Sequence, residues 1–179
     1  MFPDDVVAAA QQILERARAA GLMIATAESC TGGLVAAALT DRPGSSEIFD
    51  RGFTVYSYEA KTELLGVDRD LIVQTGAVSE GVVRAMAEGA LANSHAGLSV
   101  AITGIAGPGG GIPQKPVGLV HFATAMPGGK TVHRMEQFGD LGRGQVREAS
   151  VRVALQMLLE RLEELSAARP RPVLMSERP

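Results

Sequence analysis

The chain has 179 residues, 46% of them hydrophobic, with a formal charge of −3 and a mean hydropathy of +0.12. That composition suits one well-cored domain, and a weak negative charge with five Phe, two Tyr and no Trp offers little to attract or stack nucleic acid. Cys30 is the single cysteine, which excludes an internal disulfide and a thiolate zinc cluster. The acidic opening Met1-Phe2-Pro3-Asp4-Asp5 is unlike a secretory signal, and no apolar run reaches membrane-spanning length. A cytoplasmic protein with neither nucleic acid nor membrane as partner is expected.

Asp4 or Asp5 is a candidate cap for a first helix running to about Ala20 and ending at Gly21. Leu22 to Thr26 reads as a short buried strand, and Leu34 to Leu39 as the first turns of an apolar helix ending near Thr40-Asp41. After Arg42-Pro43-Gly44-Ser45-Ser46, a second strand spans Phe49 to Tyr56, and Ser57 is placed to cap a helix that Gly66 stops. A helical turn near Asp68 to Val73 precedes a helix starting at Ser79 and ending near Asn93. Leu98 to Thr103 is a strong buried-strand signal that breaks into the glycine-rich loop Gly104 to Gly111. Two strands, Val117 to Met126 and Lys130 to Phe138, are joined by Pro127-Gly128-Gly129 in a predicted hairpin. A helix from about Gly142 to Leu165 carries Val146, Ala149, Val153 and Met157 along one face. This order predicts a single-domain three-layer α/β/α sandwich over residues 1–165, with a mixed, mostly parallel sheet and a loose tail over 166–179.

In such folds, ligands sit outside the carboxyl ends of the strands, where Ser29 to Gly33, Tyr56 to Lys61 and Thr103 to Gly107 all fall. Ser29 stands where a strand gives way to a helix. Backbone N–H groups around Thr31 to Gly33 would face an anion or a developing oxyanion, unless the stretch is a plain capped turn. With Ser57 as N-cap, Tyr56 and Lys61 occupy the two positions whose side chains meet in a hydrophobic staple. The helix N-terminus and partial burial would lower the lysine pKa and make it a candidate general base for a serine; an exposed lysine beside an edge aromatic is the plainer alternative. Arg143 and Arg147 sit at the start of the last helix, where cations oppose the macrodipole and suit an anionic ligand. His95, His121 and His133 belong to no ligand motif, and Cys30 is expected to face the core. The glycine loop fits neither the dinucleotide nor the triphosphate-binding pattern.

Several ordered motifs together carry a resemblance: Thr26-Ala27-Glu28-Ser29-Cys30-Thr31-Gly32-Gly33, Pro43-Gly44-Ser45-Ser46, Arg51 to Ser57 with Glu59-Ala60-Lys61, Gly76 to Glu80, Thr103 to Pro108 and Lys115-Pro116-Val117-Gly118. Over roughly residues 5 to 165 the chain resembles the CinA C-terminal domain family, whose stand-alone members include nicotinamide-nucleotide amidohydrolases. The resemblance implies hydrolysis of nicotinamide mononucleotide to nicotinic acid mononucleotide and ammonia, in pyridine nucleotide salvage. It implies catalytic roles for Ser29, Tyr56 and Lys61, and ligand contacts at Ser46, Thr103, Gly104 and Arg143 beside the Thr31, Gly32 and Gly33 turn. No cofactor or metal is implied, and the pyrophosphatase activity of two-domain relatives is not expected of a chain that starts at this domain. A homo-oligomer is expected. Two other readings remain: a non-catalytic nucleotide-binding or competence-related regulatory module, and an amidase for another small amide.

Overall fold

The computed structural model describes residues 1–168. Their elements are α1 (Asp4–Ala20), β1 (Ile24–Glu28), α2 (Leu34–Thr40), a 3-10 turn (Ser45–Glu47), β2 (Phe49–Thr54), α3 (Tyr58–Leu65), α4 (Arg69–Thr75), α5 (Glu80–Ala92), β3 (Leu98–Gly104), β4 (Leu119–Ala125), β5 (Val132–Gln137) and α6 (Arg143–Ala168). The sheet order is β2-β1-β3-β4-β5. β1 runs parallel to both neighbours, and β3–β4 and β4–β5 pair antiparallel, so β4 alone opposes the other four strands. This is the expected mixed sandwich.

Local chemistry explains most of the boundaries. Ser57 accepts a hydrogen bond from the Ala60 N–H at 3.0 Å and starts α3, while Gly66 ends it at φ 66°. Ser79 caps α5 in the same way through the Val82 N–H. The start of α1 differs from expectation: Pro3 takes the N-cap position without a side-chain bond, and Asp4 and Asp5 lie inside the first turn, where carboxylates favour the macrodipole. β1 lies two residues later than its apolar run suggested. On α6 the buried stripe passes through Val146, Ser150, Ala154, Met157 and Leu158, while Ala149 and Val153 are half-buried. The helix also runs through Ser166, Ala167 and Ala168, the first three residues of the expected tail; residues 169–179 lie outside the described residues.

The two faces of the sheet are built differently. Ile24, Leu98, Val100, Ile102, Val120 and Phe122 pack under α1, α2 and α6. The other face, under α3, α4 and α5, presents Ala25, Ala27, Ala101, Ala123 and Ala125. Small side chains let α5 lie close to the strands, near enough for Ser99 Oγ to donate to the Ala87 carbonyl at 2.7 Å. α5 meets α3 at Gly89, where an added Cβ would fall 2.0 Å from the Leu65 carbonyl oxygen. α3 is thereby seated beside the carboxyl ends of β1 and β2.

Candidate active site

β1 ends at Glu28, and Ser29 begins the turn into α2, with its N–H bonded to the Ile102 carbonyl at 3.0 Å. Side chains alternate along a strand, so Ser29 shares the α3/α5 face of the sheet with Ala25 and Ala27. α3 brings Lys61 to the same place. Its side chain is 1% exposed, and its Nζ lies 3.2 Å from Ser29 Oγ, 2.7 Å from the Val55 carbonyl and 3.3 Å from the Tyr56 carbonyl. No carboxylate is among these partners. Burial pushes the Lys61 pKa below its ordinary value, opposed only by the Cys30 thiol. That thiol faces the core as expected, and burial pushes its own pKa up to about 12.

Burial without a counter-charge favours the neutral amine. Such an amine has two N–H donors and one lone pair. With the two N–H groups on the carbonyls of Val55 and Tyr56, the lone pair faces the Ser29 hydroxyl and can accept its proton.

The Tyr56 phenol and the Lys61 amine make no hydrogen bond with one another. Lys61 reaches the Tyr56 backbone carbonyl, while the phenol is 62% exposed and its oxygen accepts from Arg143 Nη2 at 3.2 Å. The amine is drawn inward by the Val55 and Tyr56 carbonyls just past β2, and the phenol is held by the guanidinium. Arg143 also donates to the Gly107 carbonyl at 3.1 Å, tying the glycine-rich loop to the start of α6.

The anion-binding reading of the turn is likewise corrected. The Gly32 N–H bonds to the Ser29 carbonyl at 3.1 Å. The N–H groups of Gly33, Val35 and Ala36 bond to the Glu28 carboxylate at 3.0, 3.0 and 2.8 Å. Glu28, 1% exposed, is thus the anion at the α2 N-terminus. The Thr31 hydroxyl is buried without a partner, and its carbonyl accepts from Arg147 Nη2 at 3.0 Å. Arg147, read beside Arg143 as a cation suited to an anionic ligand, is held here by a backbone carbonyl, and Glu28 was not among the expected site residues. The signal for Glu28 was a carboxylate at the end of a buried strand, which requires donors around it.

Thr103 and Gly104 end β3 beside Ser29, with Thr103 Oγ1 donating to the Ala77 carbonyl at 2.9 Å. Ser46 does not join them. It lies in the 3-10 turn before β2, and Ile24 pairs with Phe49 while Glu28 pairs with Thr54. Ser46 is therefore at the opposite end of the parallel strands from Ser29. His121 and His133 stack with Nδ1 and Nε2 2.9 Å apart, and burial lowers both pKa values; neither bonds to Ser29. Among the described residues no group of three or more His, Cys, Asp or Glu side chains could hold a metal ion, and no helix is long and apolar enough to cross a membrane.

The site is a serine–lysine pair at the carboxyl end of a parallel strand pair in a three-layer α/β sandwich. The profile of the CinA C-terminal domain matches residues 7–162, so the chain belongs to that family. A CinA-like protein of Mycolicibacterium vanbaalenii is 55% identical over 139 residues, covering 78% of this chain and 33% of the relative. One from Mycobacterium tuberculosis is 53% identical over 138 residues, covering 77% and 32%. The chain thus spans about a third of the length of these relatives. Among solved structures, the competence/damage inducible protein CihA from Agrobacterium tumefaciens superposes with a TM-score of 0.89 at 49% identity, covering 91% of this chain and 98% of that one. A CinA superfamily protein from Klebsiella pneumoniae gives 0.84 at 33% identity, covering 89% and 98%.

Proposed function

We propose that this chain is a cytoplasmic nicotinamide-nucleotide amidohydrolase, converting nicotinamide mononucleotide and water to nicotinic acid mononucleotide and ammonia. The single observation that carries the chemistry is the buried Lys61 amine, 3.2 Å from Ser29 Oγ with its other contacts on backbone carbonyls. The substrate follows from the family resemblance, and the guanidinium groups of Arg143 and Arg147 near the site supply the charge its phosphate needs.

In the reaction, Lys61 takes the Ser29 proton as Oγ bonds to the carboxamide carbon. The Tyr56 oxygen already accepts from Arg143, which leaves the phenol proton free to be donated to the oxyanion. The C–N bond then breaks, the Lys61 ammonium returns its proton to the departing nitrogen, and ammonia leaves an acyl ester on Ser29. Water, deprotonated by the same amine, cleaves that ester and regenerates the hydroxyl.

The test is ammonia release from nicotinamide mononucleotide by the purified chain, with chelator present and Lys61→Ala alongside. Release that survives chelator and disappears in the variant supports a serine–lysine amidohydrolase. A folded wild-type chain that releases none overturns this reading in favour of a binding module or another amide.

A further inference from the structure

We infer that β5 is a self-pairing edge and that two copies of this chain join along it into one continuous sheet. The sheet has two edges, β2 and β5, and they are built unlike one another. The β2 pairing carries a register shift, and the strand contains Gly52 and the paired charges Asp50 and Arg51. These are devices that blunt an edge against addition of another strand. β5 pairs with β4 through six successive residues without a shift. Its sequence Val132-His133-Arg134-Met135-Glu136-Gln137 holds neither proline nor glycine.

The ladder fixes which backbone groups are free. The Phe138 N–H bonds to the Gly118 carbonyl at 2.9 Å, and Leu119 pairs with Gln137. Hydrogen-bonded pairs alternate in an antiparallel ladder, so residues 132, 134 and 136 turn their backbone groups toward β4. His133, Met135 and Gln137 turn theirs outward. Among the described residues, no hydrogen bond is made by these outward groups.

A twofold axis at Met135 matches the outward groups of two antiparallel copies, His133 with Gln137 and Met135 with itself. The same register puts Arg134 directly opposite Glu136 of the second copy, twice. Shifting the axis to residue 134 or residue 136 would oppose like charges instead. Glu136 makes no ion pair among the described residues, whereas Arg134 meets Glu160 through Nη2 and keeps its other guanidinium nitrogens for a partner. Val132 and Met135 are 37% and 50% exposed, so the surface joins apolar contact to charge complementarity. Such an isologous contact closes at two copies.

The test joins sedimentation of the full chain over a dilution series with amide hydrogen exchange. A dimer is expected, with the His133, Met135 and Gln137 amides protected in concentrated solution and released on dilution. The Arg134 and Glu136 amides stay protected throughout. Met135→Pro removes an outward N–H without touching the β4 ladder and abolishes the dimer. Glu136→Arg faces Arg134 with a like charge and weakens association about tenfold or more. Fast exchange of the three outward amides at every concentration overturns the proposal, as does a Glu136→Arg chain that associates like wild type. The exchange experiment on the unaltered chain decides the matter even where Met135→Pro fails to fold.

Discussion

Glu28 and Lys61 are both charged residues only 1% exposed, and they lie on either side of the Ser29 turn. Glu28 takes three N–H groups at the start of α2, so its charge is answered by the helix it supports. Lys61 meets two carbonyls and a hydroxyl, which can accept its N–H bonds but bring no opposite charge to an ammonium. A buried charge with full compensation holds structure in place. One left without a counterion is held ready to change protonation state.

Substitution separates the two. The largest effect is expected from Lys61→Ala, which removes the proposed base and lowers the rate of ammonia release about 10²- to 10⁴-fold; near-normal turnover would end the comparison. Glu28→Ala leaves one buried and two part-buried N–H groups without an acceptor and costs about 1–3 kcal/mol of folding stability, read from the urea midpoint. Glu28→Gln, which keeps one oxygen, falls between that variant and wild type. Arg143→Ala releases both the Tyr56 phenol and the Gly107 carbonyl; a rise in KM of about tenfold is expected, with folding unchanged.

The smallest effect sharpens the contrast by pH. Burial disfavours the Lys61 ammonium, so below the depressed pKa the folded chain bears that cost in full. Between that pKa and the ordinary lysine value the unfolded chain holds the extra proton, and stability rises with pH. Lys61→Met flattens this slope, as thermal unfolding across the alkaline range will report. Activity rises through the same depressed pKa, as the amine becomes a base.

Elements with a local cause were legible in the sequence. Ser57, Ser79, Gly21 and Gly66 delimit helices as their side chains and backbone preferences dictate, and Leu98 to Thr103 is the central strand its apolar run announces. β1 was misplaced by two residues for the same reason that Glu28 was overlooked. A carboxylate reads as a strand end until the helix that neutralises it is known. The Ser29–Lys61 meeting was anticipated, but Tyr56 follows competing partners that spacing cannot reveal. Ser46 shows the limit of carrying a contact over by motif, since strand direction sends it to the far end of the sheet.

The missing side chain at Gly89 sets a mechanical tolerance. With an added Cβ only 2.0 Å from the Leu65 carbonyl oxygen, α3 is gauged against α5 by less than the width of a methyl group. Lys61 stands four residues before Leu65 on that helix, so a displacement there is transmitted to the amine. Reactive alignment degrades over about one ångström. Gly89→Ala, on a different helix from Lys61, should therefore act as a shim that lifts the proposed base off the proposed nucleophile, slowing ammonia release while the sheet beneath stays folded.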